Sequence, residues 1–376
     1  MLLDPVTLDL LPRAHEVLER TRGDPRFKGE LPAAQLEIVT APAGGVPAGG
    51  VPAGGVTAPA GGVTAGGVTA IAGGVPAAIA ALGAARLDLA AAAGGIGRLA
   101  AVGVHPFTDP LGTLSRGARY DRTRREYGWI ARAQLVSALQ VHVAVGGAER
   151  SLAVHNALRA HLPELAALAA GAPLLAGRDT GLASVRPKLS ELLPRQGVPP
   201  AIESWESLAE ALRWGAAAGA TPDAGRWWWE LRPHLAHGTL ELRVPDAQAR
   251  LVDAAAVAAV VHTLTARLAA RHDAGDLPAA VATWRIEENR WSACRDGVEG
   301  TMADLESGER RPTRERLHAL LAELEPEARR LGCADELAAA HDLAEVNGAM
   351  RQRAVAADGG PRAVATWLAA AYLEPR

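Results

Sequence analysis

Three short apolar segments of this chain, at residues 35–39, 140–144 and 239–243, carry polar side chains at alternating positions. Alternation with a period of two predicts strands that have one buried face and one polar face. The polar faces carry Gln35 and Glu37, Gln140 and His142, and Thr239, Glu241 and Arg243. A sheet that offers carboxylate, imidazole and guanidinium groups on one face suits a divalent cation together with an anionic substrate. The pattern therefore points to phosphate chemistry.

The overall composition excludes several classes of protein. The 39 basic and 42 acidic residues give a net charge of −3, which argues against a nucleic-acid-binding protein. The two cysteines, Cys294 and Cys333, match no metal-binding spacing and are too few for a disulfide framework, so a reducing cytoplasm is expected. The first five residues do not resemble a signal peptide. We predict a cytoplasmic protein with small-molecule partners and no nucleic acid, organised as a single domain over residues 1–376.

A low-complexity segment at residues 41–77 interrupts this domain. Val-Pro-Ala-Gly-Gly and close variants recur along it, and residues 38–85 contain no charged residue. An uncharged run of this length raises the possibility of a membrane span. Proline and Gly-Gly recur every few residues, however, and both disfavour a helix. We therefore predict a mobile, turn-rich insertion with no function of its own, and no membrane association.

The order of the predicted elements indicates the fold class. Strands followed by blocks of helices are typical of an α+β fold, in which an antiparallel sheet is covered on one face. The part from residue 277 to 376 is predicted to be mostly helical, with a break at Gly332 and a turn at residues 359–361. The earlier helices are predicted at residues 11–22, 77–94, 119–135, 151–168 (broken at Pro163), 204–215 and 247–271.

A dense aromatic segment at residues 227–233 supplies a second group of candidates. Alternation places Trp228, Glu230 and Arg232 on one face, which is compatible with core tryptophans beside a surface ion pair. Arg232 and Arg243 lie on neighbouring segments, and two arginines form a suitable clamp for a carboxylate or a phosphate. Arg186, just before Pro187, is predicted to be an exposed cation that can reach an anion.

Two further polar groups have a structural explanation that we favour. Asp179 and Thr180 lie between Gly177 and Gly181, where they are expected to cap a turn. His105, before a proline, is expected to bond to the backbone of a turn. Several nucleotide-binding and catalytic motifs are absent: no Walker-type loop, no Gly-x-Gly-x-x-Gly after a strand and no Gly-x-Ser-x-Gly occur. If ATP is used, it is therefore not bound by a P-loop.

Seven motifs in order make the chain resemble one family, the carboxylate–amine ligases related to glutamate–cysteine ligase, and specifically the type 2 proteins of bacteria. The resemblance runs from about Asp4 to Arg353, interrupted by the insertion. The motifs are residues 103–107 (Gly-Val-His-Pro-Phe), 119–128, 141–143 (Val-His-Val), 179–184 (Asp-Thr-Gly-Leu-Ala-Ser), 228–233 (Trp-Trp-Glu-Leu-Arg-Pro), 239–243 (Thr-Leu-Glu-Leu-Arg) and 347–353 (Asn-Gly-Ala-Met-Arg-Gln-Arg).

The resemblance implies a fold and a reaction. The fold is a glutamine-synthetase-like funnel of antiparallel strands with helices packed outside. The reaction is ATP-dependent: the side-chain carboxylate of glutamate is phosphorylated, and an amine, nominally that of cysteine, attacks the acyl phosphate. Mg²⁺ or Mn²⁺ is required to neutralise the phosphates. The metal ligands implied by the resemblance are Glu37, His142 and Glu241.

The resemblance also implies roles for the arginines. Arg243 would stabilise the transferring phosphoryl group as a catalytic residue, while Arg232 and Arg186 would bind substrate or nucleotide. Two alternatives stay open. The chain could join glutamate to an amine other than cysteine, because no residue pattern specifically predicts thiol recognition. It could also be a degenerate member of the family that binds without catalysing.

Some departures from the family pattern support the second alternative. Relatives begin with a strand that carries a Gly-Val-Glu-Glu-Glu-Phe-like run and helps to bind metal, and this chain lacks those acidic residues. We therefore expect weaker Mg²⁺ binding, weak or absent activity, and exposed sheet edges that favour a homo-oligomer. Gln140 stands where relatives often have His, and Glu230 stands where Asp is usual.

Overall fold

The structure is a computed structural model that describes residues 1–42, 67–70, 74–219 and 226–374. The strands in these ranges are β1 (Leu2–Leu3), β2 (Phe27–Gly29), β3 (Leu36–Ile38), β4 (Gly67–Ala70), β5 (Arg98–Leu99), β6 (Gln140–Ala144), β7 (Leu174–Leu175), β8 (Arg178–Asp179), β9 (Leu231–His234), β10 (Thr239–Leu242), β11 (Thr301–Ala303) and β12 (Arg310–Pro312). The helices are α1 (Ala14–Arg20), α2 (Val75–Ala93), α3 (Ala118–Tyr127), α4 (Trp129–Arg132), α5 (Ala148–Leu158), α6 (Leu162–Leu168), α7 (Arg186–Ser190), α8 (Trp205–Ala217), α9 (Leu251–Asp273), α10 (Thr283–Asp296), α11 (Thr313–Arg330), α12 (Ala334–Glu345) and α13 (Gly348–Ala371).

The main sheet has the strand order β4-β6-β10-β9. Strands β6, β10 and β9 are antiparallel neighbours, while β4 pairs with β6 in parallel. The other described strands form four separate two-stranded sheets, among them β2 with β3. Helices and largely antiparallel sheets together confirm the α+β class.

Apolar residues on one face of the main sheet form part of the core, as the alternation predicts. Val141 and Val143 of β6 and Leu240 and Leu242 of β10 are all buried in the main hydrophobic cluster. Behind this face lies α9, a 23-residue helix of mostly Ala, Val and Leu that packs against α2, α5, α11 and α12. The core therefore lies on the helical side of the sheet, which leaves the opposite face for polar side chains.

Two helices, α2 and α9, are long and apolar enough to cross a membrane by length and composition alone. Most of α9 is buried inside the protein, as in the core helix of a globular domain. Length and composition do not distinguish these two situations.

The predicted insertion at residues 41–77 is only partly described. Residues 43–66 and 71–73 lie outside the described ranges. The expectation of a loop over the whole segment is wrong in two places, because residues 67–70 form β4 and α2 begins at Val75. Pro76 lies in the first turn of α2, where a missing backbone N–H costs no helical hydrogen bond.

Turn and capping chemistry sets several helix boundaries. Pro163 lies in the first turn of α6, and a short 3-10 segment separates that helix from α5, so the predicted break is confirmed. Ser204 and Ser207 form a capping box at the start of α8. The predicted turn at residues 359–361 is instead a kink inside α13, where Gly360 adopts a φ of 71° before Pro361. The hairpin β11–β12 was not predicted from the helical pattern around it.

Candidate functional site

The polar face of the main sheet brings together four of the predicted site residues. The Cα of Glu241 on β10 lies opposite His142 of β6 on one side and opposite Arg232 of β9 on the other. Directly opposed residues in antiparallel strands point to the same face. Arg243 follows two residues after Glu241 and reaches the same carboxylate. Strand register alone therefore builds a cluster of one acid, one imidazole and two guanidinium groups.

The carboxylate of Glu241 is held between the two arginines of this cluster. It is fully buried, with Oε2 accepting a 2.6 Å hydrogen bond from Nε of Arg232 and Oε1 accepting one from Nη1 of Arg243. Burial alone would raise the pKa of Glu241. The charges of Arg243 and Arg232 outweigh burial and hold that pKa well below its ordinary value. Glu241 is therefore an anion whose two oxygens both already accept hydrogen bonds.

His142 lies beside this carboxylate without bonding to it. Its Nε2 is 3.9 Å from Oε1 of Glu241, and its Nδ1 is 3.1 Å from Oγ1 of Thr239. The rings of His234 and His237 lie at centroid distances of 5.2 and 5.9 Å from the His142 ring. Burial lowers the pKa of His142 to about 4, against the opposing charge of Glu241. The imidazole is thus neutral at pH 7, which is the form that can ligate a metal.

Glu37 lies in a different sheet from the other predicted ligands. It is buried on β3, where its Cα lies opposite that of Lys28 in the neighbouring strand β2. Its charge affects the pKa of a second buried acid, Glu30. Burial and the charge of Glu37 raise the pKa of Glu30, while Arg119 and Arg243 oppose that rise. The charges of Glu30 and Glu37, which we call the acidic pair, therefore interact, and Arg243 is near enough to Glu30 to affect its pKa.

A cleft has both Glu30 and Arg243 in its wall. We call it the charged cleft, and its charged or amide lining residues include Glu30, Gln35, Arg186, Glu230 and Arg243. Two buried atoms at its wall, Oε1 of Glu30 and Nε2 of Gln35, have no hydrogen-bond partner among the described residues. Buried polar atoms are normally paired in folded proteins, so unpaired atoms in residues of a cleft wall are candidates to bind a ligand.

Comparison with known proteins shows the family of this chain. The family model described as glutamate-cysteine ligase family 2 matches residues 3–364. The chain belongs to this family. It is 39% identical to "Putative glutamate–cysteine ligase 2-3" of Rubrobacter xylanophilus over 73% of this chain and 74% of that protein. It is 35% identical to "Putative glutamate–cysteine ligase 2-1" of Frankia casuarinae over 64% of this chain and 63% of that protein, so the second match spans less than two thirds of the relative. The membership supports a ligase.

The divalent cation that the resemblance implies can be tested against the side chains that the structure brings together. In the described part of the chain, no group of three or more His, Cys, Asp or Glu side chains is placed to hold a metal ion. Mg²⁺ commonly binds through only one or two carboxylates and completes its shell with water and substrate phosphates. Glu30 and Glu37 offer two such carboxylates, and Oε1 of Glu30 is unpaired within the described chain. The assignment of His142 and Glu241 as metal ligands stays a prediction.

Arg186 lines the charged cleft but is not the exposed cation that the sequence suggested. It is buried, its Nε donates a 2.5 Å hydrogen bond to Oδ1 of Asp246, and its Nη2 donates to the carbonyl of Val244. Oδ2 of Asp246 also accepts a hydrogen bond from the backbone N–H of Gly171. The expectation of an exposed side chain is wrong, because Asp246, 60 residues along the chain, binds the guanidinium group in the protein interior. Arg186 therefore helps to fix the cleft wall.

Glu230 is likewise buried in an ion pair that sequence alternation did not show. Both of its oxygens accept hydrogen bonds from Arg290 of α10, at 2.7 and 2.6 Å. The prediction of a surface ion pair in this segment is therefore wrong, since Glu230 binds Arg290 and Arg232 binds Glu241. Arg290 also pairs with Glu191, so a helix of the C-terminal part positions one wall of the charged cleft.

The remaining family motifs have structural roles in this fold. Nδ1 of His105 accepts from the backbone N–H of Thr108, and its Nε2 lies 2.9 Å from the carbonyl of Leu8, so the predicted backbone bonding is confirmed. Asp179 accepts from the N–H of Gly181, as predicted, and pairs with Arg353. That ion pair joins the loop after β8 to α13. Residues of three motifs therefore hold loops in place around the site.

Sequence reasoning missed Glu30 altogether. It precedes Leu31 and Pro32 in a turn between β2 and β3, so no strand period links it to Glu37. A signal was present, because Glu30 is the lone acidic residue in an apolar and small run from residue 29 to 34. Without the fold, a single acid in a turn is normally a solvated one.

Proposed function

We propose that this chain is an ATP-dependent carboxylate–amine ligase that joins glutamate to cysteine and forms γ-glutamylcysteine. The observation that carries the proposal is the charged cleft, whose wall carries Glu30 together with Arg186 and Arg243, while the charge of Glu37 raises the pKa of Glu30. ATP and glutamate are both anionic, and arginines bind phosphates and carboxylates with defined geometry. Membership of the glutamate-cysteine ligase family 2 supports the same reaction class. The family's antiparallel funnel and a cytoplasmic location belong to the same proposal.

The proposed reaction has two steps. An oxygen of the glutamate side-chain carboxylate attacks the γ-phosphorus of ATP, the bond to the β-phosphate oxygen breaks, and ADP leaves. The nitrogen of the amine then attacks the acyl carbon, inorganic phosphate leaves with the electron pair of the C–O bond, and the nitrogen loses a proton. Both steps concentrate negative charge on phosphoryl oxygens, which cationic side chains stabilise.

Named residues of the chain fit these demands. Arg243 lines the cleft and would stabilise the transferring phosphoryl group, while Glu241 holds its guanidinium group in a fixed position. Arg232, on the other side of Glu241, would bind nucleotide or substrate. Glu30 and Glu37 would hold the divalent cation, which when bound supplies neutralisation of the phosphate charge.

The test is release of ADP by the purified chain with Mg-ATP and glutamate, with and without cysteine, and mass-spectrometric detection of the dipeptide. Glutamate-dependent ADP release that rises with cysteine, with γ-glutamylcysteine as product, is expected. The variant Arg243→Met should lose activity by at least about 100-fold. Arg213→Met, which removes an exposed arginine of α8, is the matched control and should retain it.

Two outcomes would contradict the proposal. Turnover that is faster with another amine than with cysteine would keep the ligase but change its substrate. Absence of glutamate-dependent ADP release in the folded parent chain would show a member of the family that does not catalyse this reaction.

A further inference from the structure

A second cleft lies on the opposite side of residues 227–231 from the charged cleft. Lining residues alternate along this segment: Trp228 and Glu230 face the charged cleft, while Trp227, Trp229 and Leu231 face the second one. We call the second one the tryptophan cleft. Its far wall is formed by Leu208, Ala211 and Leu212 of α8.

The walls of the tryptophan cleft are apolar and aromatic. Among its described lining residues, the ionisable side chains are those of Arg232 and His155. Burial lowers the pKa of His155 to about 4, so its ring is neutral at pH 7. Arg232 therefore supplies the charge of the described wall. Such a cleft favours a flat, uncharged group with a negatively charged extension directed toward the arginine.

Arg232 connects the tryptophan cleft to the charged cluster. Its Nε donates to Oε2 of Glu241 at 2.6 Å, and its Nη1 donates to the backbone carbonyl of Trp227 at 3.2 Å. One guanidinium group thus contacts both the carboxylate that holds Arg243 and the segment that forms the aromatic wall. A ligand that reaches Arg232 from the tryptophan cleft would place its anionic end beside the two arginines.

Two tryptophans of the cleft wall carry indole N–H groups without a hydrogen-bond partner among the described residues. These two, Trp227 and Trp229, are half-buried. Aromatic side chains stack on any nucleobase through its π-face. A purine also carries ring nitrogens that accept hydrogen bonds, which matches the unpaired donors.

We propose that the tryptophan cleft binds the base of the nucleoside triphosphate, with the phosphates directed past Arg232 toward Arg243. This inference rests on the proposed use of ATP and adds the position of its base. The competing occupant is the side chain of the amine substrate. The observations favour the base, because aromatic and apolar walls suit a flat ring system better than the small side chain of cysteine.

The test compares two ligands by isothermal titration calorimetry in the presence of Mg²⁺. ATP carries a base and a triphosphate, whereas inorganic tripolyphosphate carries the charge alone. We expect the parent to bind ATP at least about tenfold more tightly than tripolyphosphate, because stacking on one aromatic side chain is commonly worth that factor. Weaker or equal binding of ATP would overturn the assignment.

Two variants change the cleft in opposite ways, and each has a matched control on α8. Trp229→Ala removes one ring face, and Ala211→Phe fills the space beside it. Both should weaken ATP binding about tenfold or more and leave tripolyphosphate binding within twofold. The controls are Trp214→Ala, which removes an indole that is 69% exposed, and Ala216→Phe, which adds a ring at an exposed position. Both controls should bind ATP as the parent does.

The outcomes separate this inference from the proposed function. Unchanged ATP affinity in both cleft variants would overturn the base site while leaving the ligase proposal intact. Unchanged ATP affinity together with a raised KM for the amine would assign the cleft to the amine instead. A folded parent that binds neither ATP nor tripolyphosphate would refute both.

Discussion

Replacing Glu241 by Gln tests the central electrostatic feature of the site. The sequence pattern alone predicts a metal ligand on a polar strand face, whose loss would weaken Mg²⁺ or ATP binding with little effect on the fold. The structure predicts a large loss of stability instead. Glu241 is fully buried between Arg232 and Arg243, whose side chains are 9% and 13% exposed. Glutamine would leave both cations unneutralised and would turn an amide donor toward a guanidinium donor.

The expected loss follows from the burial of this cluster. Removing one partner of a buried ion pair costs about 3–5 kcal/mol, because an uncompensated charge is left away from water. For 376 residues the entropy of unfolding is about 0.8 kcal/mol/K at ~2.1 cal/mol/K per residue. A loss of about 4 kcal/mol would therefore lower Tm by about 5 °C. The double variant Glu241→Gln/Arg243→Met should recover part of the loss, since it removes one of the unneutralised cations.

The assay is urea unfolding followed by tryptophan fluorescence, with Glu203→Gln as the exposed control. Because the folded-state pKa of Glu241 is depressed below its ordinary 4.5, the stability that it contributes is present above pH 4.5 and is lost as the pH falls further. The difference between parent and Glu241→Gln should therefore stay constant from pH 7 to 5 and shrink below 4.5. A Glu241→Gln midpoint that equals the control at pH 7 would refute the reasoning.

Three further predictions follow from buried groups near the site. Glu30→Gln should reduce Mg-ATP-dependent turnover by at least about 100-fold without lowering the urea midpoint at pH 7, because burial already disfavours its charge; a destabilised variant would show a structural role instead. His155→Gln should flatten the fall in stability between pH 6.5 and 4, since a pKa lowered to about 4 costs the parent up to about 3 kcal/mol over that range; identical pH profiles by urea unfolding would contradict it. Arg186→Lys should lower the free energy of unfolding, measured with urea, by about 2 kcal/mol through loss of its paired bonds to Asp246 and Val244, and an unchanged free energy would show that these bonds are dispensable.

Much of the fold could be predicted because the relevant signals are local. Apolar composition marked α9 as a core helix, and Pro163 marked a helix boundary. The boundaries failed where pairing decided them: residues 67–70 became a strand by pairing with β6, and the hairpin β11–β12 formed inside a region of helical pattern. Backbone pairing between distant segments leaves little trace in local composition.

The sequence by itself determined which side chains share a face of a strand. Glu241 and Arg243 lie together because the side-chain period of a strand is two, whatever the rest of the chain does. The tertiary structure alone decided what these groups touch. Asp246 covers Arg186, Arg290 binds Glu230, and Glu30 reaches the cleft from a turn. These contacts join residues 60 or more positions apart, or cross from one sheet to another, so they depend on how the sheets and helices pack and not on any local period.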